Sequence, residues 1–245
     1  MSNPIINRLD EYSRFEGENS TTMTPSGTMT NFFIMTVLLI IPALITWNWA
    51  ALGFMDRVYG MTIVGVILGL ISVLVMTFSP KTSPYLAPIY AVSEGMYLGG
   101  LSAIFEMQLK GIVIQAVGAT IAVSLTMFAL YKFKVITVTE KFRATILTAV
   151  TAIFILYMAN LILGLFGNHA IANLLWGNTP LAIGISAVIC IVAALCLLLD
   201  FDRIERFSQY QTPKYMEWYC AMGLMVTIVW LYVEILRLLS ILNRR

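Results

Sequence analysis

Seven stretches of this chain stay apolar for close to the width of a bilayer, and no other feature restricts its fold as strongly. A helix needs about 20 apolar residues to cross the roughly 30 Å hydrocarbon core. The stretches cover about residues 31–54, 61–78, 86–107, 112–131, 144–166, 180–199 and 219–242. Polar breaks separate them. SPKTSP at 79–84 is a proline-bounded turn, and KFKVITVTEKFR at 132–143 is charged. GNHAIANLLWGNTP at 167–180 is polar with glycine near both ends, and DFDRIERFSQYQTPK at 200–214 is strongly charged. The expected fold class is therefore an all-α integral membrane protein, a seven-transmembrane-helix bundle over residues 31–245. Composition agrees, with 59% hydrophobic and 11% charged residues, where a soluble domain carries about a quarter charged.

Residues 1–30 are polar and read as a flexible cytosolic tail. They carry Asp10, Glu11, Glu16 and Glu18 and then the run ENSTTMTPSGTMT. A cleavable signal peptide would need a basic start and an early apolar core, and neither is there. The net charge of +2 comes without a basic cluster, so no nucleic-acid partner is expected. Cys190, Cys196 and Cys220 sit in or beside apolar runs without a CxxC pattern, and read as small packing residues. His169 is the one histidine, which makes a zinc site an unlikely use of it. No cofactor is expected.

The Lys and Arg residues orient the bundle. With seven spans, the side of the N-terminus holds ten of them: Arg8, Arg14, Lys81, Lys132, Lys134, Lys141, Arg143, Arg203, Arg206 and Lys214. The other side holds Arg57, Lys110, Arg244 and Arg245. The positive-inside rule then puts the N-terminus in the cytosol and the C-terminus outside. Trp47, Trp49 and Trp176 fall near the outer interface, and Trp218 and Tyr219 near the inner one. The spacings Gly65-x-x-x-Gly69 and Gly95-x-x-x-Gly99 are read as devices for close helix packing in lipid.

Against this background the stretch YAVSEGMYLGGL at 90–101 stands out, because it puts Glu94 inside a span. An ionisable group at the centre of a span costs at least about 2.5–3.5 kcal/mol on insertion scales and marks a candidate site. Glu94 lies about 12 Å from the cytosolic start of the third span, at 1.5 Å per residue, and no basic residue in the inner half neutralises it. It is read either as a neutral acid bonded to a carbonyl or, as the better reading, as a functional group. Asp200 and Asp202 lie at the cytosolic end of the sixth span. Two carboxylates close together in low dielectric share a proton, which can sense pH, and such a pair can attract a hard cation such as calcium. Glu234 and Arg237 share a face of the seventh span and read as a local ion pair near the outer interface. Asp202, Arg203, Glu205 and Arg206 read as a solvated helix end. Glu106 closes the third span on the outer side.

YAVSEGMYLGG in the third span, LLLDFDRIE closing the sixth and WLYVEILRLLSIL ending the last resemble the transmembrane Bax inhibitor motif family, in its bacterial branch. The resemblance covers most of the chain after about residue 30. It implies a seven-helix bundle with the last helix central, surrounded by the other six. It implies a calcium leak gated by pH through a hydrogen-bonded acidic pair, with one partner at Asp200. The family's second partner, an aspartate in the inner half of the last span, falls here near Thr227 or Ile228. Three readings follow: Glu94 supplies the second carboxylate, which its depth favours, Glu234 reaches in through another register, or the gate is absent. The arginine that some members carry beside the pair has no counterpart in the second span.

The expected function is a pH-sensitive calcium leak channel. Its gating and ion pathway would use Asp200, Glu94, Asp202 and Glu234, with calcium at Glu94 and Asp200 and Arg203, Arg206 and Arg237 as latch partners. The partners are the lipid bilayer and calcium or protons, a monomer is favoured, and the expected location is a bacterial inner membrane. The alternative is a non-conducting regulator that binds membrane proteases or stress-response partners through the charged segment 200–217. An enzyme is not expected. Gly184-Ile185-Ser186-Ala187 superficially matches a serine-hydrolase pattern, but a Ser/His dyad needs the histidine within hydrogen-bond reach.

Overall fold

A computed structural model describes residues 22–167, 170–177 and 179–243. Among these residues the chain is helical, with one isolated antiparallel bridge between Thr22 and Pro213. The helices are α1 (Pro25–Ala51), α2 (Met55–Phe78), α3 (Ser83–Gln108), α4 (Ile112–Lys132), α5 (Glu140–Leu165), α6 (Ala170–Trp176), α7 (Pro180–Gln209) and α8 (Met216–Asn243). A single 3₁₀ turn, Pro80–Thr82, joins α2 to α3.

Local chemistry starts and stops these helices. Thr24 caps α1, its hydroxyl accepting from the Gly27 N–H at 3.0 Å, with Pro25 in the first turn. Thr139 does the same for α5 through the Phe142 N–H. Glu106, near the end of α3, accepts from the backbone N–H groups of Gly111 at 2.6 Å and Val113 at 3.2 Å. It thereby closes α3 and supplies the acid at the start of α4. Gly111 takes φ +83 in that turn, a region closed to most side chains.

Six helices, α1, α2, α4, α5, α7 and α8, are long and apolar enough to cross a membrane. Their exposed faces carry large apolar side chains such as Ile63, Leu70, Ile114 and Phe154, an amount of exposed hydrocarbon that water does not tolerate. The third predicted span falls in α3, which is 26 residues long but is not one of the six. Glu94, Gly95, Gly99, Gly100 and several Ser and Tyr residues dilute its apolar content, and much of it is buried against protein. A helix covered by protein does not need the hydropathy of one that faces lipid. Two boundaries also move. α1 begins at Pro25, inside the segment expected to be tail, and α7 runs on to Gln209, well past Leu199 where its apolar run ends. An apolar run reports where lipid stops, and a helix continues until its backbone is capped.

The chain divides into two units. The first comprises residues up to 103 together with 202–225, and the second comprises 104–201 together with 226 onward. Within the first, three of the four glycines predicted to be packing devices, Gly65, Gly95 and Gly99, are sites of close approach, while Gly69 makes only ordinary van der Waals contact. A Cβ on Gly95 would strike the Leu39 carbonyl and one on Gly99 the Ala43 backbone, so this face of α3 lies against α1. Gly65 of α2 lies against the backbone at Ser93, and Gly100 against Thr62. Within the second unit, α4 and α7 meet through Phe201, whose ring centroid is 5.4 Å from Phe128 and 5.8 Å from Tyr131.

Candidate functional site

Asp200 sits within α7 and is 7% exposed. Thr227 of α8 donates its hydroxyl to Asp200 Oδ2 at 2.5 Å. This bond ties the two helices together. It occupies the position where the resemblance leads one to expect an aspartate. The sequence placed that position near Thr227 or Ile228 and favoured Glu94 as the second partner of Asp200; the structure instead makes Thr227 a hydrogen-bond donor to the acid.

Past Asp200, α7 becomes amphipathic. Asp202 and Arg206 form an i,i+4 ion pair at 2.8 Å and are half-buried. Arg203 and Glu205 are exposed, which agrees with a solvated helix end for these two.

Glu94 lies in the first unit, on α3. Tyr90, one turn earlier, hydrogen-bonds it, and Glu94 Oε2 is buried without a hydrogen-bond partner among the described residues. Gly69 of α2 packs beside Oε1, since a Cβ there would stand 3.5 Å away, in van der Waals contact. A buried carboxylate oxygen without a partner is uncommon and calls for an explanation. Glu94 and Asp200 belong to different units, and each is described within its own.

Glu234 and Arg237 form the expected i,i+3 pair, at 2.6 Å, but both side chains are 4% exposed rather than set in an aqueous interface. Other groups add to the pair, while Arg237 Nε stays buried without a hydrogen-bond partner among the described residues. Tyr157 of α5 donates to Glu234 Oε1, the Trp230 indole donates to the same oxygen at 3.1 Å, and Arg237 donates to the Tyr157 hydroxyl at 2.8 Å. The guanidinium also lies 5.6 Å from the Trp176 ring and 5.7 Å from the Tyr157 ring. These bonds commit Glu234 to a network around Arg237.

Two further participants were not identified from sequence. Tyr157 is the one tyrosine in α5, and that polar tip in an apolar run was its only signal. Glu217, at the start of α8, is 4% exposed and accepts from both the Thr24 N–H and the Thr24 hydroxyl. It had been absorbed into the charged segment before the last span. Ser186 is fully buried in α7, its hydroxyl without a partner among the described residues, and His169 lies outside those residues. Cys190, Cys196 and Cys220 are free thiols. Among the described residues no three His, Cys, Asp or Glu side chains come together as a metal set.

The sequence profile of the family described as Bax inhibitor 1 like matches residues 3–244, nearly the whole chain. No curated protein and no solved structure matches it.

Proposed function

Because the chain belongs to the Bax inhibitor 1 like family, we propose that it is a pH-sensitive cation leak, with calcium as the ion, gated by protonation of membrane-embedded carboxylates. The observation that carries this reading is the buried Asp200–Thr227 bond between α7 and α8. With Asp200 ionised, the bond is charge-assisted and holds the two helices closed. Protonation removes the charge, and a neutral bond is roughly half as strong, so acid loosens the latch. Glu94, with its unfilled oxygen, offers the cation a carboxylate on its way. Asp202, Arg203 and Arg206 extend the latch toward the cytosol, and the network of Glu234 and Arg237 stiffens the outer half of α8.

In this reading α3 is a seventh span and α8 is the central helix. α8 is supported in that role by its burial, 56% of its most apolar window against 6–22% for α1, α2, α4 and α5. The N-terminus faces the cytosol of a bacterial inner membrane, the protein acts as a monomer, and no covalent chemistry is assigned to it.

The test is calcium flux in liposomes that hold only this protein, at pH 6, 7 and 8, beside Glu94→Gln and Asp200→Asn. A leak that rises as pH falls, and that Asp200→Asn makes insensitive to pH, is the expected result. Unchanged pH dependence in both variants would refute the mechanism. The second reading is a non-conducting regulator of membrane proteases or stress-response partners. The exposed Arg203 and Glu205 favour it by offering a charged docking surface, and silence of the wild type at all three pH values would select it.

A further inference from the structure

The segment just before α1 is fastened to the turn between α7 and α8 at several points. Thr22 forms an antiparallel bridge with Pro213, and the Met23 N–H donates to the Thr212 carbonyl at 2.8 Å. The Met23 side chain is buried, as is Thr212. Next along the chain, the Thr24 N–H and hydroxyl both donate to Glu217 Oε1, at 3.0 and 3.1 Å. The same Thr24 hydroxyl accepts from the Gly27 N–H. One carboxylate from the first turn of α8 therefore serves the first turn of α1, which has no acid of its own. Gly27 lies so close to Glu217 that a Cβ would occupy the place of the carboxylate. The turn itself holds Gln211 at φ +51, a conformation that non-glycine residues keep only where their surroundings impose it.

We propose that residues 22–27 form an inhibitory strap: they lock the α7–α8 turn and so restrain the two helices that carry Asp200 and Thr227. The turn is the covalent link between those helices. Tight, local and polar, the contact can be undone by a change at the N-terminal segment alone, which gives the leak a control input separate from the gate. The inference rests on the leak reading, and two independent readouts keep their failures apart.

The first readout is hydrogen exchange of the peptide over residues 22–30 in phosphatidylglycerol–phosphatidylcholine liposomes, for wild type, Glu217→Gln and Gly27→Ala. Exchange of the Thr24 amide, which donates to the Glu217 carboxylate, should become on the order of tenfold faster in both variants, as weakening a bond to a charged group predicts. The Met23 and Gly27 amides, bonded to the Thr212 carbonyl and the Thr24 hydroxyl, should follow as the strap loosens. The second is calcium flux at pH 8 in the same vesicles, which should rise by a similar factor of about ten. A pair of cysteines, Thr22→Cys with Pro213→Cys, on a Cys190→Ala, Cys196→Ala, Cys220→Ala background, tests the opposite direction. Residues facing each other across an antiparallel bridge have spacing suited to a disulfide. The oxidised pair should leak less than its reduced form at pH 6, and reductant should restore the flux, which also shows that the protein is folded. If the variants exchange no faster than wild type, Glu217 does not hold the strap and the inference is overturned. If they exchange faster while a leaking wild type and the variants conduct alike, the strap exists without restraining the leak, and the inference alone falls. If wild type and strap-released variants are both silent at every pH, the leak reading falls and takes this inference with it.

Discussion

At the scale of the residue, the buried polar groups divide into committed and poised ones. Glu234 and Arg237 are committed, since each is held by the other and by Tyr157, with Trp230 completing Glu234. Arg237→Leu should therefore leave an uncompensated buried carboxylate and cost about 3–5 kcal/mol, read as a lower melting temperature in detergent. Adding Glu234→Gln to Arg237→Leu should recover part of that loss, and a double variant no more stable than the single one would mean that the pair is not coupled. On the leak reading Asp200 is the poised group, because its bond to Thr227 would change strength with its protonation. Thr227→Val removes the donor and should raise the leak at pH 8 while flattening its rise toward pH 6. Thr227→Asp installs an acidic pair such as the resemblance implies and, on the leak reading, should give a steep pH dependence displaced from that of wild type, because two adjacent carboxylates titrate as a unit. Flux curves in liposomes check both.

At the scale of the element, α3 shows why hydropathy and burial diverge. Its glycines exchange apolar side chains for close backbone contact, with Gly95 and Gly99 meeting α1 at Leu39 and Ala43. Gly95→Ala and Gly99→Ala should overpack that contact and cost about 1–3 kcal/mol each. Gly118 in α4 and Gly164 in α5 have open space where a Cβ would go, so Gly118→Ala and Gly164→Ala should be neutral or slightly stabilising, by up to about 1 kcal/mol from helix propensity. Thermal melts of the four variants in one detergent make the comparison, and equal losses in all four would show that the glycine contacts do not govern packing. The small-xxx-small spacing was legible in sequence, whereas the partner of each glycine was not, because any helix could have supplied the facing backbone.

At the scale of the whole molecule, the distribution of basic residues predicts a cytosolic N-terminus and an external C-terminus. Single cysteines placed at Ser2 and at Asn243 on a background without native thiols should react with a membrane-impermeant maleimide from opposite sides of intact cells. Labelling of both from one side would require an even number of spans and would remove α3 from the membrane.

By itself the sequence determined that this chain is a helical membrane protein, because twenty-residue apolar runs leave a backbone few ways to satisfy its hydrogen bonds in lipid. It also determined which acids deserve a role, since a carboxylate in such a run is costly wherever it ends up. The tertiary structure decided what those acids touch. The partner of Asp200 turned out to be a hydroxyl, the partners of Glu234 came from α5 as well as its own helix, and Glu217 was drawn out of a charged segment to cap α1. Periodicity and hydropathy record how each residue meets solvent or lipid, which is a property of one segment. A hydrogen bond between residues as far apart as Thr24 and Glu217 depends on how segments meet, and that is fixed only when the helices pack.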